Sequence, residues 1–174
     1  MFFRQNSYSR TAAVNYAVRY ALKPNPAYIY FQIKNDVGGD CANFISQCLL
    51  AGGAPMIYNT ANPWWYNNKG TPNTKDDSWS VSWAVAHSLY WFLRINEESK
   101  RPGAKGIKIN NINLVEPGDL VFFQDHNGTM FHSAIVTEIS NGIPLISHHT
   151  YEALNIPYYS SWPATKQHFL KITV

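Results

Sequence analysis

The hydrophobic period of the chain changes once, at Glu116-Pro117-Gly118-Asp119, and that change fixes the fold class. Before it, apolar residues recur at helical spacing. Val14, Ala17, Val18, Ala21 and Leu22 predict a helix over residues 9–22, capped by Ser7 or Ser9 and ended by Pro24, while Trp83, His87, Tyr90, Trp91 and Arg94 share one face of a helix over 80–96. After it the period is 2, and residues 120–123, 132–140, 143–150 and 169–174 read as antiparallel strands. Residues 27–33 read as extended and 99–118 as linker-like. Helices first and strands second mean α+β, with N-terminal helices packed on a C-terminal antiparallel sheet. With 174 residues, one domain over 1–174 can bury a core without staples.

Between the first two helical patterns, Gly38-Gly39 leads into Asp40 and Cys41, after which Phe44, Ile45, Cys48 and Leu49 continue an apolar stripe that stops at Gly52-Gly53. Asp40 reads as the N-cap and Cys41 as the first helical residue. A thiol there feels the positive end of the helix dipole, so a depressed pKa and a nucleophilic Cys41 are expected, with first-turn N–H groups ready to hold an oxyanion. A buried, inert Cys41 on the same stripe is the competing reading. Cys41 and Cys48 lie about 10 Å apart along a helix and cannot pair, so both are free thiols.

Asn141-Gly142 between two alternating runs signals a two-residue type I′ hairpin. Residue 140 then faces 143, 134 faces 149 and 135 faces 148, which puts His132 and His149 on one face and His148 on the other. A register shifted by one residue exchanges the two histidines. Cys41, His132 and His149 thus make a nucleophile, a base and an orienting group. His87, on an aromatic helix face, reads as packed core. Without HExxH or CxxC spacing, no metal site is expected.

Composition narrows the partners. Charged residues are 14% and aromatics 15%, the net charge is +3, and no basic run exceeds Lys100-Arg101, which argues against nucleic acid. No apolar stretch is long enough to span a membrane. Met1-Phe2-Phe3-Arg4 does not resemble a signal peptide, so a cytosolic chain, or a secreted or wall-associated domain without its leader, is expected. Residues 53–78 form a Pro- and Asn-rich excursion carrying Trp64, Trp65 and Tyr66, which are expected to line a substrate groove.

Asp40-Cys41-Ala42-Asn43-Phe44-Ile45-Ser46-Gln47, Pro117-Gly118-Asp119-Leu120-Val121-Phe122-Phe123, Phe131-His132-Ser133-Ala134-Ile135-Val136-Thr137 and Ser147-His148-His149-Thr150 together resemble the putative amidase domain family of Gram-positive bacteria, related to the papain-like NlpC/P60 and CHAP cell-wall hydrolases. The resemblance implies a papain-like fold and a cysteine amidohydrolase or peptidase that needs no cofactor and acts on a peptide or peptidoglycan-like substrate. It also implies Cys41 as nucleophile, His132 as base and His149 as third member. An oxyanion tyrosine would be Tyr30, with Tyr28 competing. An aromatic wall- or peptide-binding module without activity, and an acyltransferase on the same fold, are the alternatives.

Overall fold

A computed structural model describes residues 7–35 and 38–174; Met1 to Arg4, read above for a leader, lie outside them. Helix α1 runs Arg10–Tyr20, with the Ser9 hydroxyl accepting from the Ala12 N–H as its cap. Helix α2 runs Cys41–Ala51 and ends at Gly52. The third helical pattern is two helices, α3 (Val81–Ala84) and α4 (Ala86–Glu98), because Val85 adopts extended backbone between them. No helix among the described residues is long and apolar enough to cross a membrane.

The excursion between α2 and α3 carries a short antiparallel pair, β1 (Tyr66–Asn67) and β2 (Ser78–Trp79). The main sheet is built from β3 (Lys105–Ile109), β4 (Leu120–Gln124), β5 (Met130–Ser140), β6 (Ile143–His148), β7 (Ala153–Pro157) and β8 (Lys166–Thr173). Its order is β3-β8-β4-β5-β6-β7, and every neighbouring pair is antiparallel. The architecture is α+β. The linker-like stretch contains a strand, β3, hidden from sequence reading by lysines and a glycine that strands disfavour. Gly106 has a packing reason there, since a Cβ would lie 2.8 Å from Leu170. Residues 27–33 form no strand.

The sheet is covered on both faces. Phe44, Ile45 and Leu49 of α2, Trp83 of α3 and Leu89, Phe92 and Leu93 of α4 pack with Leu120, Phe122, Ile135 and Leu170. Each such buried side chain contributes about 1.5–3 kcal/mol. Val121, Phe123, Ala134, Val136 and Ile146 point the other way, under Tyr158 and Trp162 of the segment between β7 and β8. Two consecutive residues of β5 therefore serve different layers.

The Pro117-Gly118-Asp119 run is a structural clasp. Arg10 of α1 donates to the Pro117 carbonyl at 3.1 Å and to Asp119 Oδ1 at 2.6 Å, and Tyr8 donates to the Gly118 carbonyl. Gly118 has φ +91 and lies so close to Arg10 that a Cβ would meet its Cβ at 2.9 Å. The clasp ties the first helix to the head of β4.

Candidate active site

Cys41 opens helix α2 and Asp40 stands at its N-cap position, as expected, but the Asp40 carboxylate makes no cap bond. Its Oδ1 instead accepts from the Phe31 N–H at 2.9 Å and from Asn43 Nδ2 at 2.8 Å. The Asp40 N–H donates to Thr150 Oγ1 at 2.8 Å. Gly39 is required beside this contact, because it holds φ +123 and a Cβ would fall 2.6 Å from Thr150 Oγ1.

The environment of the sulfur overturns the expected thiolate. Burial pushes the Cys41 thiol up; the Ser133 hydroxyl, the Ser133 N–H and the Ala42 N–H oppose that rise, and Asp40 adds to it. Desolvation therefore outweighs the helix terminus. Cys48, two turns deeper, is buried and pushed up further.

The hairpin forms where predicted, with Asn141 and Gly142 both at positive φ and Ser140 opposite Ile143. That register holds through Glu138–Leu145 and then shifts, so that Val136 pairs with Ile146 and Ile135 with Ser147. Thr137 is the unpaired residue. It is held by side-chain bonds from Thr137 Oγ1 to Ser147 Oγ at 2.8 Å and Asn155 Oδ1 at 2.7 Å. This bulge exchanges the two histidines. The ring of His148, not His149, meets His132, edge to face with centroids 4.6 Å apart. His148 Nδ1 donates to the His149 carbonyl and its Nε2 accepts from the Ser161 hydroxyl, both at 3.0 Å, which fixes its tautomer. Burial holds both rings neutral: His132 is lowered well below 6.5 by desolvation and then by His148, and His148 is lowered by desolvation. His132 Nε2 is buried without a hydrogen-bond partner.

His149, expected beside His132, lies beneath the start of α2 instead. Its Nδ1 meets Asp40 Oδ2 at 2.5 Å, its Nε2 meets the Tyr20 carbonyl at 2.8 Å, and its ring stacks on Phe44 at 4.1 Å. The ring therefore bridges the Asp40 carboxylate and the Tyr20 carbonyl. This buried pair fastens the end of α1, the head of α2 and the end of β6 to one another.

Cys41 and His132 open on one cleft of about 400 Å³, whose other described walls are Ile33, Gly38, Phe131, Thr150, Tyr151 and Trp162. Trp162 lies 5.4 Å from both His132 and Tyr151, and 6.2 Å from Phe131. Thr150 and Tyr151 both hold positive φ, 66° and 63°, which is strained for non-glycine residues and most of all for β-branched Thr. That turn delivers Thr150 to the Asp40 N–H and leaves Tyr151 67% exposed at the cleft. Sequence reading missed Phe131, Tyr151 and Trp162, which carry no periodic signal of their own.

The other expected site residues lie away from this cleft. Tyr30 is tied to Glu152, its hydroxyl 2.5 Å from Oε1, and is not part of the lining. Trp64 is fully buried, donates to Ser46 Oγ at 3.0 Å and packs on Trp83 and Phe92. Tyr66 is buried, accepting from the Ile29 N–H and donating to Asp77. Trp65 is half-buried and stacked on Tyr58. Trp64 and Tyr66 are thus core, filling the space beside α2 and α3, while Tyr58 is half exposed and residues 67–73 are exposed. His87 is half-buried, with its Nδ1 3.2 Å from the Met130 N–H.

The chain resembles two proteins of Bacillus subtilis strain 168. It is 35% identical to the uncharacterized protein YhbB over 156 residues, covering 87% of this chain and 44% of that protein. It is 33% identical to the uncharacterized protein YjcM over 162 residues, covering 86% of this chain and 32% of that protein. The chain therefore spans less than half the length of these relatives. No solved structure matches it. A family model described as putative amidase domain matches residues 7–172, from the clasp on α1 through the cleft to the last strand, and the chain belongs to that family.

Proposed function

We propose that the chain is a papain-like cysteine hydrolase that cleaves an amide bond in a peptide, with bacterial cell-wall peptides, outside the membrane, as the substrate class. The supporting observation is that Cys41, at a helix N-terminus, and His132, on the neighbouring sheet, open on the same aromatic-walled cleft. The motif order of cysteine, Gly-Asp-Leu-Val-Phe-Phe, histidine and a polar residue on the next strand supports the kinship with NlpC/P60 and CHAP enzymes.

In this reading the resting pair is neutral thiol and neutral imidazole, so the proton moves during attack. The Cys41 sulfur bonds to the carbonyl carbon while its proton passes to His132. Since Nε2 is sealed, Nδ1 is the nitrogen that serves the cleft. The oxyanion is held by the first-turn N–H groups of α2. His132 then protonates the leaving amine as the C–N bond breaks, and the same ring activates the water that hydrolyses the thioester and restores the thiol. His148 stands beside His132 where the sequence offered His149, and its ring, edge to face on His132, holds that ring in position by packing without a hydrogen bond between them. Phe131, Tyr151 and Trp162 receive a flat or apolar part of the substrate.

Incubation with purified peptidoglycan, read by mass spectrometry of released fragments, tests this. Amide-cleaved fragments are expected from the unaltered protein and are lost with Cys41→Ala and with His132→Ala. Equal release by Cys41→Ala refutes cysteine dependence.

A further inference from the structure

Two glycines lead into the nucleophile helix, Gly38 at φ +92 and Gly39 at φ +123, and α2 has no side-chain cap. Glycine backbone of this kind is free to turn, so the start of the helix shifts unless something outside it holds it in place. Asp40 is held at two points. Its carboxylate meets His149, the Phe31 N–H and Asn43, and its own N–H donates to Thr150 Oγ1 at 2.8 Å, with both residues buried. The two holds differ in what they fix. Bonds to the carboxylate act on a side chain with torsions of its own, whereas the bond to the N–H fixes the plane of the Gly39–Asp40 peptide, one residue before Cys41.

Thr150 reaches that N–H from a strained turn between β6 and β7, where it and Tyr151 hold φ 66° and 63°. A β-branched residue keeps such backbone only where its surroundings fix it. Gly39 leaves the room, since a Cβ there would lie 2.6 Å from Thr150 Oγ1 and 2.9 Å from its Cγ2. A strained turn, a glycine that avoids a clash and a buried bond thus converge on one main-chain N–H, and Thr150 lines the cleft with Cys41 and His132. We propose that Thr150 is the positioning residue of the nucleophile: its hydroxyl fixes the peptide that leads into Cys41 and so holds the sulfur in line with His132. This deepens the proposed function and rests on Cys41 being the nucleophile. Thr150 takes no proton in this role and acts through Asp40.

Alkylation of Cys41 by iodoacetamide tests this without a substrate. The sulfur bonds to carbon, iodide leaves and the thiol proton passes to His132, the same transfer that hydrolysis needs. Rates at Cys41 and Cys48 would be measured at neutral pH by peptide mapping in the full chain and in Thr150→Val, Thr150→Ser and His132→Ala. Valine keeps the branched Cβ and removes the acceptor; serine keeps the hydroxyl. A misplacement of about 1 Å costs about a hundredfold in rate. With His149 still holding the Asp40 carboxylate the shift is smaller, so Thr150→Val should label at Cys41 about tenfold more slowly, with Cys48 unchanged and Thr150→Ser close to the unaltered protein. Unchanged labelling in Thr150→Val overturns the proposal and leaves the nucleophile standing. Faster labelling of both cysteines in Thr150→Val assigns Thr150 to packing and also overturns it, as does a Thr150→Ser protein as slow as Thr150→Val. Cys41 that labels as fast in His132→Ala as in the unaltered protein refutes the cysteine–histidine pair and the proposal together.

Discussion

His149→Ala should loosen the head of the nucleophile helix before it harms proton transfer. The ring is 1% exposed, as is Asp40, so solvent does not screen the pair. Removing the ring leaves the buried Asp40 carboxylate without its partner, a loss of about 3–5 kcal/mol. In a domain of this size each kcal/mol moves Tm by about 2–4 °C, so a fall of about 6–20 °C is expected. His148→Ala loses two neutral hydrogen bonds of about 1 kcal/mol each, a fall of about 4–8 °C. Its larger effect is on turnover, because His132 loses the ring that holds it, and hydrolysis should drop about a hundredfold or more. Differential scanning calorimetry of both variants, with activity measured well below their melting points, separates the two roles. A His149→Ala protein with unchanged Tm, or one that melts above His148→Ala, refutes the assignment of His149 to the buried strut.

Acid should destabilise the protein through the same face of the sheet. The folded pKa values of His132 and His148 lie below 6.5 and the unfolded values near it, so the unfolded chain binds more protons as pH falls. Their contribution is intact above about pH 7 and is lost progressively as pH drops below 6.5 toward the folded values, which urea titrations at a series of pH values would read. Stability that does not fall between pH 6.5 and acid unfolding contradicts the neutral, buried rings. Trp64→Ala should cost about 3–5 kcal/mol in urea denaturation, with KM unchanged in whatever protein remains folded. Trp162→Ala or Tyr151→Ala should do the reverse, raising KM several-fold with a small change in Tm; an unchanged KM removes the aromatic wall from substrate binding.

Helices α1 and α2 and strands β4, β5, β6 and β8 were legible from sequence because they depend on local periodicity, whereas β3 and β7 were not. The apolar stripe from Cys41 to Leu49 made α2, and alternation after Asp119 made the strands. The type I′ turn at Asn141-Gly142 was equally local, since positive φ at two consecutive residues selects those residue types. What sequence could not decide was the parity of the histidines. One unpaired residue, Thr137, reverses it, and the bulge is fixed by bonds to Ser147 on β6 and Asn155 on β7 that exist only once the sheet is assembled. Likewise, the helix terminus is a local property and was read correctly, whereas the protonation of Cys41 depends on burial beneath β5, which follows far along the chain. The aromatic excursion failed for the same reason. Its prolines and asparagines marked a loop and its aromatics were expected to line a substrate groove, yet Trp64 and Tyr66 fill the core beside Ser46 and Trp83, contacts made only once α2 and α3 are packed.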